Sequence, residues 1–187
     1  MTTIPSLYQD MNSILTKQGF MTSHTWYHGT TSALGEAILS NGLKRSGDEA
    51  MRQVNERTMA TIGTDYTASR EPVFLTPSKS LAYYWAEQKK HTRRVRLGLE
   101  EKSVVIQLNL SDELNQRVKP DVGAASLLLM KEGEQYMAFL SALYNMKGLE
   151  QPTTAPAKLD RLDYLTKLGL AYIDADIAPH CLCLLGP

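Results

Sequence analysis

Residues 26–43 bring together the side chains best suited to ligand chemistry. Trp26, Tyr27, His28, Gly29, Thr30, Thr31 and Ser32 are consecutive. They supply an imidazole, hydroxyls, the free N–H groups of a helix start, and a glycine whose backbone a ligand can approach closely. An amide or a phosphate group suits such a place. A histidine beside a strand end has a second reading, a hydrogen-bonded structural residue. Metal binding is not expected. His24 and His28 would lie ~13 Å apart along a strand, and Cys181 and Cys183 have no second Cys or His pair at ligand spacing.

Two strand–turn–helix units must position these groups. In the first, Trp26 and Tyr27 favour a strand, and Gly29 with the hydroxyl residues makes a polar turn. Leu34, Ala37, Ile38 and Asn41 then share a helical stripe that Gly42 stops. In the second, Val73-Phe74-Leu75 reads as a buried strand. Thr76 caps and Pro77 opens a helix running through Leu81, Tyr84, Trp85 and Gln88. Tyr83 and Tyr84 are adjacent on it and so point about 100° apart.

The pattern Tyr-His-Gly-Thr-Thr-x6-Ile-x3-Gly-Leu, followed by Val73-Phe74-Leu75-Thr76-Pro77-Ser78-Lys79-Ser80-Leu81-Ala82-Tyr83-Tyr84-Trp85-Ala86, resembles the ADP-ribosyltransferase superfamily. Its nearest branch is the histidine-tyrosine-glutamate one of the poly-ADP-ribose polymerases and diphtheria-toxin-like enzymes, with RNA 2′-phosphotransferases as relatives. The resemblance covers about residues 26–110 well and the C-terminal strands loosely. It implies NAD as co-substrate, with Tyr27, His28, Gly29 and Thr30 forming its cradle. The Gly29 backbone would hold the nicotinamide carboxamide, His28 would bond the ribose 2′-hydroxyl, and Thr30 would assist. Phe74 and either Tyr83 or Tyr84 would clamp the ring. Phe74 stands where the family has a tyrosine, which keeps the stacking surface and loses a hydroxyl. No glutamate occurs after Glu150, where the family's catalytic acid is expected, and Asp174 and Asp176 are the nearest acids. Asp174 is the candidate, set against a surface role.

The implied activity is NAD-dependent mono-ADP-ribosyl transfer to a macromolecular acceptor, protein rather than nucleic acid. A non-catalytic NAD- or ADP-ribose-binding or protein-interaction module is the alternative, and RNA 2′-phosphotransfer a second. The expected fold is α+β: two small, mainly antiparallel sheets forming a split β-sandwich with surrounding helices. No Gly-x-Gly-x-x-Gly follows a strand, which argues against a doubly wound sheet.

The remaining chain frames this site. The 187 residues carry zero formal net charge, with 43% hydrophobic and 21% charged content, so one domain over 1–187 is the simplest organisation. Nothing global calls for nucleic acid or an anionic membrane. No apolar run approaches the ~20 residues of a bilayer span, and no signal-peptide pattern opens the chain. With Cys181 and Cys183 read as buried free thiols, a cytoplasmic location follows.

Helical spacing of Ile4, Leu7, Met11, Ile14 and Leu15 predicts a packed helix over 4–18. Region 44–72 is polar, with helical turns over 49–59 and a loop from Thr61 to Glu71. Among its arginines (Arg45, Arg52, Arg57 and Arg70), one could meet a pyrophosphate. Lys89 to Arg96 holds five basic residues in eight positions, read as a solvated helix end or as a polyanion patch. Ser103 to Leu110 alternates as a strand with one core face. Residues 111–123 read as irregular and 124–146 as helical, with Gly133 a possible break. A loop spans 151–158, a short helix runs over 159–165 to a stop at Gly169, and two strands over 171–177 and 180–184 close the chain.

Overall fold

A computed structural model describes residues 3–61, 71–152, 155 and 158–186. The N-terminal stretch makes a 3-10 turn (Ser6–Tyr8), a one-turn helix α1 (Met11–Ile14) and a hairpin of β1 (Leu15–Thr16) and β2 (Gly19–Phe20). Then follow β3 (Thr25–Thr31), α2 (Ser32–Asn41), α3 (Glu49–Thr61), β4 (Val73–Leu75) and α4 (Lys79–Leu97). After them come β5 (Ser103–Asn109), α5 (Asp112–Asn115), β6 (Val118–Pro120), α6 (Ala124–Leu128) and α7 (Lys131–Met146). The chain closes with α8 (Asp163–Thr166), β7 (Ala171–Ile173), a 3-10 turn at Pro179–Cys181 and β8 (Leu182–Leu185).

The helix expected over 4–18 is not formed. Asp10 instead serves the start of α4, accepting the backbone N–H groups of Lys79 at 2.6 Å and Ser80 at 3.3 Å and the hydroxyls of Ser78 and Ser80. A carboxylate at those unpaired N–H groups satisfies donors and meets the positive end of the helix dipole. Ile4, Met11, Ile14 and Leu15 still pack on the core. Their spacing reported burial and not helicity. The α4 cap is Ser78, whose hydroxyl accepts the Leu81 N–H at 3.2 Å, so the helix starts two residues later than a Thr76 cap implies.

The architecture is α+β. Two three-stranded antiparallel sheets form, ordered β3-β5-β8 and β4-β7-β6. They meet at one bridge, where the Tyr27 N–H reaches the Thr76 carbonyl at 2.9 Å and the Thr76 N–H reaches the Tyr27 carbonyl at 3.0 Å. One core lies between the sheets and includes Trp26, Leu108, Val73, Leu75, Ile173 and Ile177. A larger one joins α4, α7 and α8 around Leu81, Tyr136, Leu140 and Leu168.

Several expectations are corrected in detail. Residues 111–123 hold α5 and β6, and the break in 124–146 falls at Leu129 and Met130. Gly133 lies inside α7, where a side chain would meet the Leu127 carbonyl oxygen at 2.3 Å, so it permits α6 and α7 to touch. The helix over 159–165 shrinks to α8, and β7 ends at Ile173, leaving Ile177 only a bridge to Leu43. Cys181 is half-buried in a turn, while Cys183 is exposed on β8, so the thiols are not buried together. Cys183 lies on β8, an outer strand of its sheet, and Cys181 in the turn just before it.

Strand β5 is covered on both faces, since Val105 is as fully buried as Ile106 and Leu108. The cover is α4, and it passes β3 at Gly29. A Cβ there would sit 1.9 Å from the Ala82 carbonyl oxygen and 2.6 Å from the Ala86 nitrogen. These are backbone atoms of a helix and cannot turn aside. We therefore expect Gly29→Ala to cost about 3 kcal/mol in urea unfolding, without rescue by Ala82→Gly. A loss below about 1 kcal/mol would show that α4 does not press on the strand.

Candidate functional site

Alternation along β3 puts Tyr27, Gly29 and Thr31 toward α4 and sends Trp26, His28 and Thr30 to the opposite face. Beyond the Tyr27–Thr76 bridge the sheets part, and a cavity of about 270 Å³ lies in the opening. Its described walls are His28 and Thr30 from β3, Leu34 and Ile38 from α2, the loop from Gly42 to Asp48, the stretch Glu71–Phe74, and Lys89 from α4.

The His28 Nδ1 lies 2.9 Å from the Phe74 carbonyl oxygen. A carbonyl only accepts, so Nδ1 carries the hydrogen and Nε2 presents a lone pair when the ring is neutral. Enclosure of the ring pushes its pKa down to about 4. The Phe74 carbonyl opposes that shift and the Lys89 charge adds to it. The residue as a whole keeps partial surface exposure, and the imidazole is neutral at pH 7. Beside it, Thr30 is 0% exposed and its hydroxyl has no partner among the described residues. A buried hydroxyl left unpaired costs about 1–3 kcal/mol, so a ligand or water that bonds it is favoured. The Phe74 side chain, 46% exposed, stands at the mouth.

Peptide groups add to this. Because the Tyr27 N–H and C=O face Thr76, ladder alternation directs those of Gly29 to the same edge, across from Phe74, where the sheets have separated. The Cα face of Gly29 is closed by α4. The close backbone approach that glycine permits is therefore made by a helix, and any ligand contact is confined to the peptide edge.

Charged residues brace the walls. Arg93 donates from Nε and one terminal nitrogen to Glu101, both at 2.9 Å, and from the other to Asp48 at 2.5 Å. Lys89 lies 3.4 Å from the second Asp48 oxygen. The Glu101 bond raises the Arg93 pKa, and Arg93 in turn lowers that of Glu101. The reading of Lys89–Arg96 as a solvated helix end is thus corrected at Arg93, which is only 4% exposed. His91, Arg94 and Arg96 do face solvent. At the loop's turn, Ser46 adopts a φ of 56°, a left-handed conformation that costs a non-glycine residue about 1–2 kcal/mol, and its hydroxyl accepts the Glu71 N–H at 2.7 Å.

Of the residues named from sequence, His28, Thr30 and Phe74 share this cavity, with the Gly29 peptide at its edge. Tyr27 packs instead with Tyr83 around Tyr8, Ala82 and Val105. The Tyr83 ring stacks on Tyr8 with centroids 5.0 Å apart. Tyr84 is 3% exposed, packed among Trp85, Tyr136 and Phe139. Both tyrosines border a different groove, of about 1090 Å³, between the N-terminal segment, α4 and α7. The Asp174 carboxylate meets Arg45 at 2.6 Å and does not line the His28 cavity. Among the other arginines, Arg52 pairs with Glu49 and Glu56, Arg57 is exposed, and Arg70 lies outside the described residues. His24 pairs with Asp112 at 2.9 Å. Asp48 and Glu71 are cavity residues that sequence reasoning did not single out, and Lys89 was read only as part of the basic run. The available signal was Glu71-Pro72 directly preceding the Phe74 strand.

Among the described residues, no group of three His, Cys, Asp or Glu is placed to hold a metal, and no helix is long and apolar enough to cross a membrane. Comparison with protein-family models, curated proteins and solved structures gives no match.

The neutral imidazole has a thermodynamic signature. The folded protein takes up a proton on His28 less readily than the unfolded chain, whose pKa is the ordinary 6.5. The stability this provides is complete above pH 6.5 and is lost as pH falls toward about 4. Urea unfolding of the wild type and of His28→Gln should therefore converge as pH drops through that window. Parallel curves from pH 7 to 4 would show the imidazole to be freely solvated.

Proposed function

We propose that the chain is an NAD-dependent mono-ADP-ribosyltransferase, moving ADP-ribose from NAD to a macromolecular acceptor and releasing nicotinamide. The observation that carries this reading is the single cavity at the parting of two sheets where His28, Thr30 and Phe74 meet. The three come from the two segments that bear the resemblance, and their chemistry is complementary. Neutral Nε2 accepts a hydrogen bond, as a ribose hydroxyl requires. The Thr30 hydroxyl gains the partner it lacks. The exposed Phe74 ring offers a face to a flat cationic ring, for which aromatic faces have electrostatic attraction. The Gly29 peptide edge matches the donor and acceptor of a carboxamide.

The cavity volume falls just below the roughly 300–1,000 Å³ usual for ligand pockets. It suits the pyridine end of a dinucleotide, with the remainder lying across the open mouth. NAD supplies a ribose carbon that turns electrophilic as nicotinamide departs. The protein's part is to hold that end, exclude water from it and set a carboxylate against the developing positive charge. A protein acceptor goes with zero net charge and with Lys90 and Arg93 engaged by acids. RNA 2′-phosphotransfer has less support for the same reason. The free cysteines fit a cytoplasmic setting.

One observation favours the second reading, a binding module without turnover. Asp174 is engaged by Arg45, and Asp48 by Arg93 and Lys89. The two readings part on a direct test. Purified protein is incubated with labelled NAD and a cell lysate, and NAD binding, nicotinamide release and label transfer are followed for the wild type, His28→Ala and Phe74→Ala. The transferase reading expects release by the wild type and a loss of about 100-fold or more in His28→Ala. Binding with no release supports the module. Absence of binding defeats both.

A further inference from the structure

Two carboxylates line the His28 cavity, and their circumstances differ. Asp48 is held by Arg93 through one oxygen at 2.5 Å, and its other oxygen, buried and without a hydrogen bond among the described residues, sits 3.4 Å from the Lys89 ammonium. The Glu71 side chain is exposed and has no partner among the described residues. Its backbone is fixed nonetheless. The N–H is held at 2.7 Å by the hydroxyl of the strained Ser46, Pro72 follows and stiffens the peptide, and β4 starts one residue later. A free carboxylate on an anchored backbone, three residues before Phe74, therefore stands at the open side of the cavity. That is the side from which a second substrate must arrive.

We propose that Glu71 is the catalytic carboxylate of this site and the base for the incoming acceptor, an inference that rests on the transferase reading above. The bond between the ribose C1′ and the pyridinium nitrogen breaks, and its electron pair leaves on nicotinamide, which becomes neutral. The acceptor's hydroxyl oxygen bonds to C1′, and its proton passes to the Glu71 carboxylate. The sequence places no glutamate near the C-terminal strands. The fold supplies one from the neighbouring strand, because β4 pairs antiparallel with β7 in the register Val73 to Ile173, which puts the residues before Val73 and after Ile173 at one end of the sheet. Asp174, the residue after β7, is turned to Arg45. This assignment makes the acceptor a group that must lose a proton to react, such as a side-chain hydroxyl.

The test compares the wild type with Glu71→Gln, Glu71→Asp and Asp174→Asn. Calorimetry gives the Kd for NAD, thermal melting gives the fold's integrity, and steady-state assays of nicotinamide release and transfer give kcat and KM across pH. Glu71→Gln is expected to keep its melting midpoint and a Kd within about twofold of wild type, while kcat for transfer falls by about 100-fold or more. Glu71→Asp should recover part of that loss. A Glu71→Gln kcat within about threefold of wild type, a loss carried wholly by Kd, or a collapse seen only in Asp174→Asn would each overturn the assignment and leave the transferase reading standing. Wild-type protein that binds NAD and releases no nicotinamide would remove that reading, and the role of Glu71 with it.

Discussion

Two backbone hydrogen bonds between Tyr27 and Thr76 set the geometry from which everything else follows. They are the bridge between two antiparallel sheets that would otherwise zip together along β3 and β4. On the Thr25 side the zipper stops because the chain leaves β4 at Thr76 and turns at once into α4, which Ser78 and Asp10 cap from two directions; on the Gly29 side β3 and β4 part although β4 continues to Val73. That helix must cross β3 on its way back, and only glycine at position 29 leaves room for its backbone. On one face of β3 the result is tight packing. On the other, past the bridge, strands that have lost their partner leave an opening with His28 at its edge. Closure and cavity thus lie on the two faces of one strand.

The strand–turn–helix units were legible because their signals are local. Aromatic residues then Gly29, an apolar stripe then Gly42, and Phe74 between buried neighbours each specify conformation within a few residues. The face assignment of His28 follows from the strand period alone. Asp10 illustrates what was not legible. Its neighbours have helical spacing, yet its carboxylate is taken by N–H groups some 70 positions along the chain, and no local pattern announces such a partner. Tyr83 and Tyr84 fail for a related reason. Adjacent residues on a helix face different surroundings, and the rings already present at each were unknown: Tyr8 for one, and Trp85, Tyr136 and Phe139 for the other.

The basic run on α4 shows the same limit in electrostatic form. Five cations in eight positions read as solvated because most such residues are. Arg93 departs from that rule only by virtue of Asp48, 45 positions earlier, and Glu101, eight later. Removing a guanidinium and two carboxylates from water is costly, and their mutual attraction recovers the cost only with good geometry. The bidentate contact with Glu101 supplies it. What the network secures is position. It ties the loop that ends at Asp48 to α4 and to the segment before β5, and that loop is one wall of the cavity.

Around the opening, then, rigidity and incompleteness coexist. The walls are fixed by a buried ion network, a capped helix and a strained serine turn. The groups they present are an acceptor nitrogen, an unpaired hydroxyl and a bare aromatic face. A folding optimum would pair or bury all three, since each is stabilised by a partner it lacks. Rigid walls prevent the protein from collapsing to supply those partners itself. The unmet demand is directional, asking for a donor toward Nε2, a polar atom near Thr30 and a flat face against Phe74. A small planar molecule bearing hydroxyl groups meets all three conditions at once, which a water molecule cannot do.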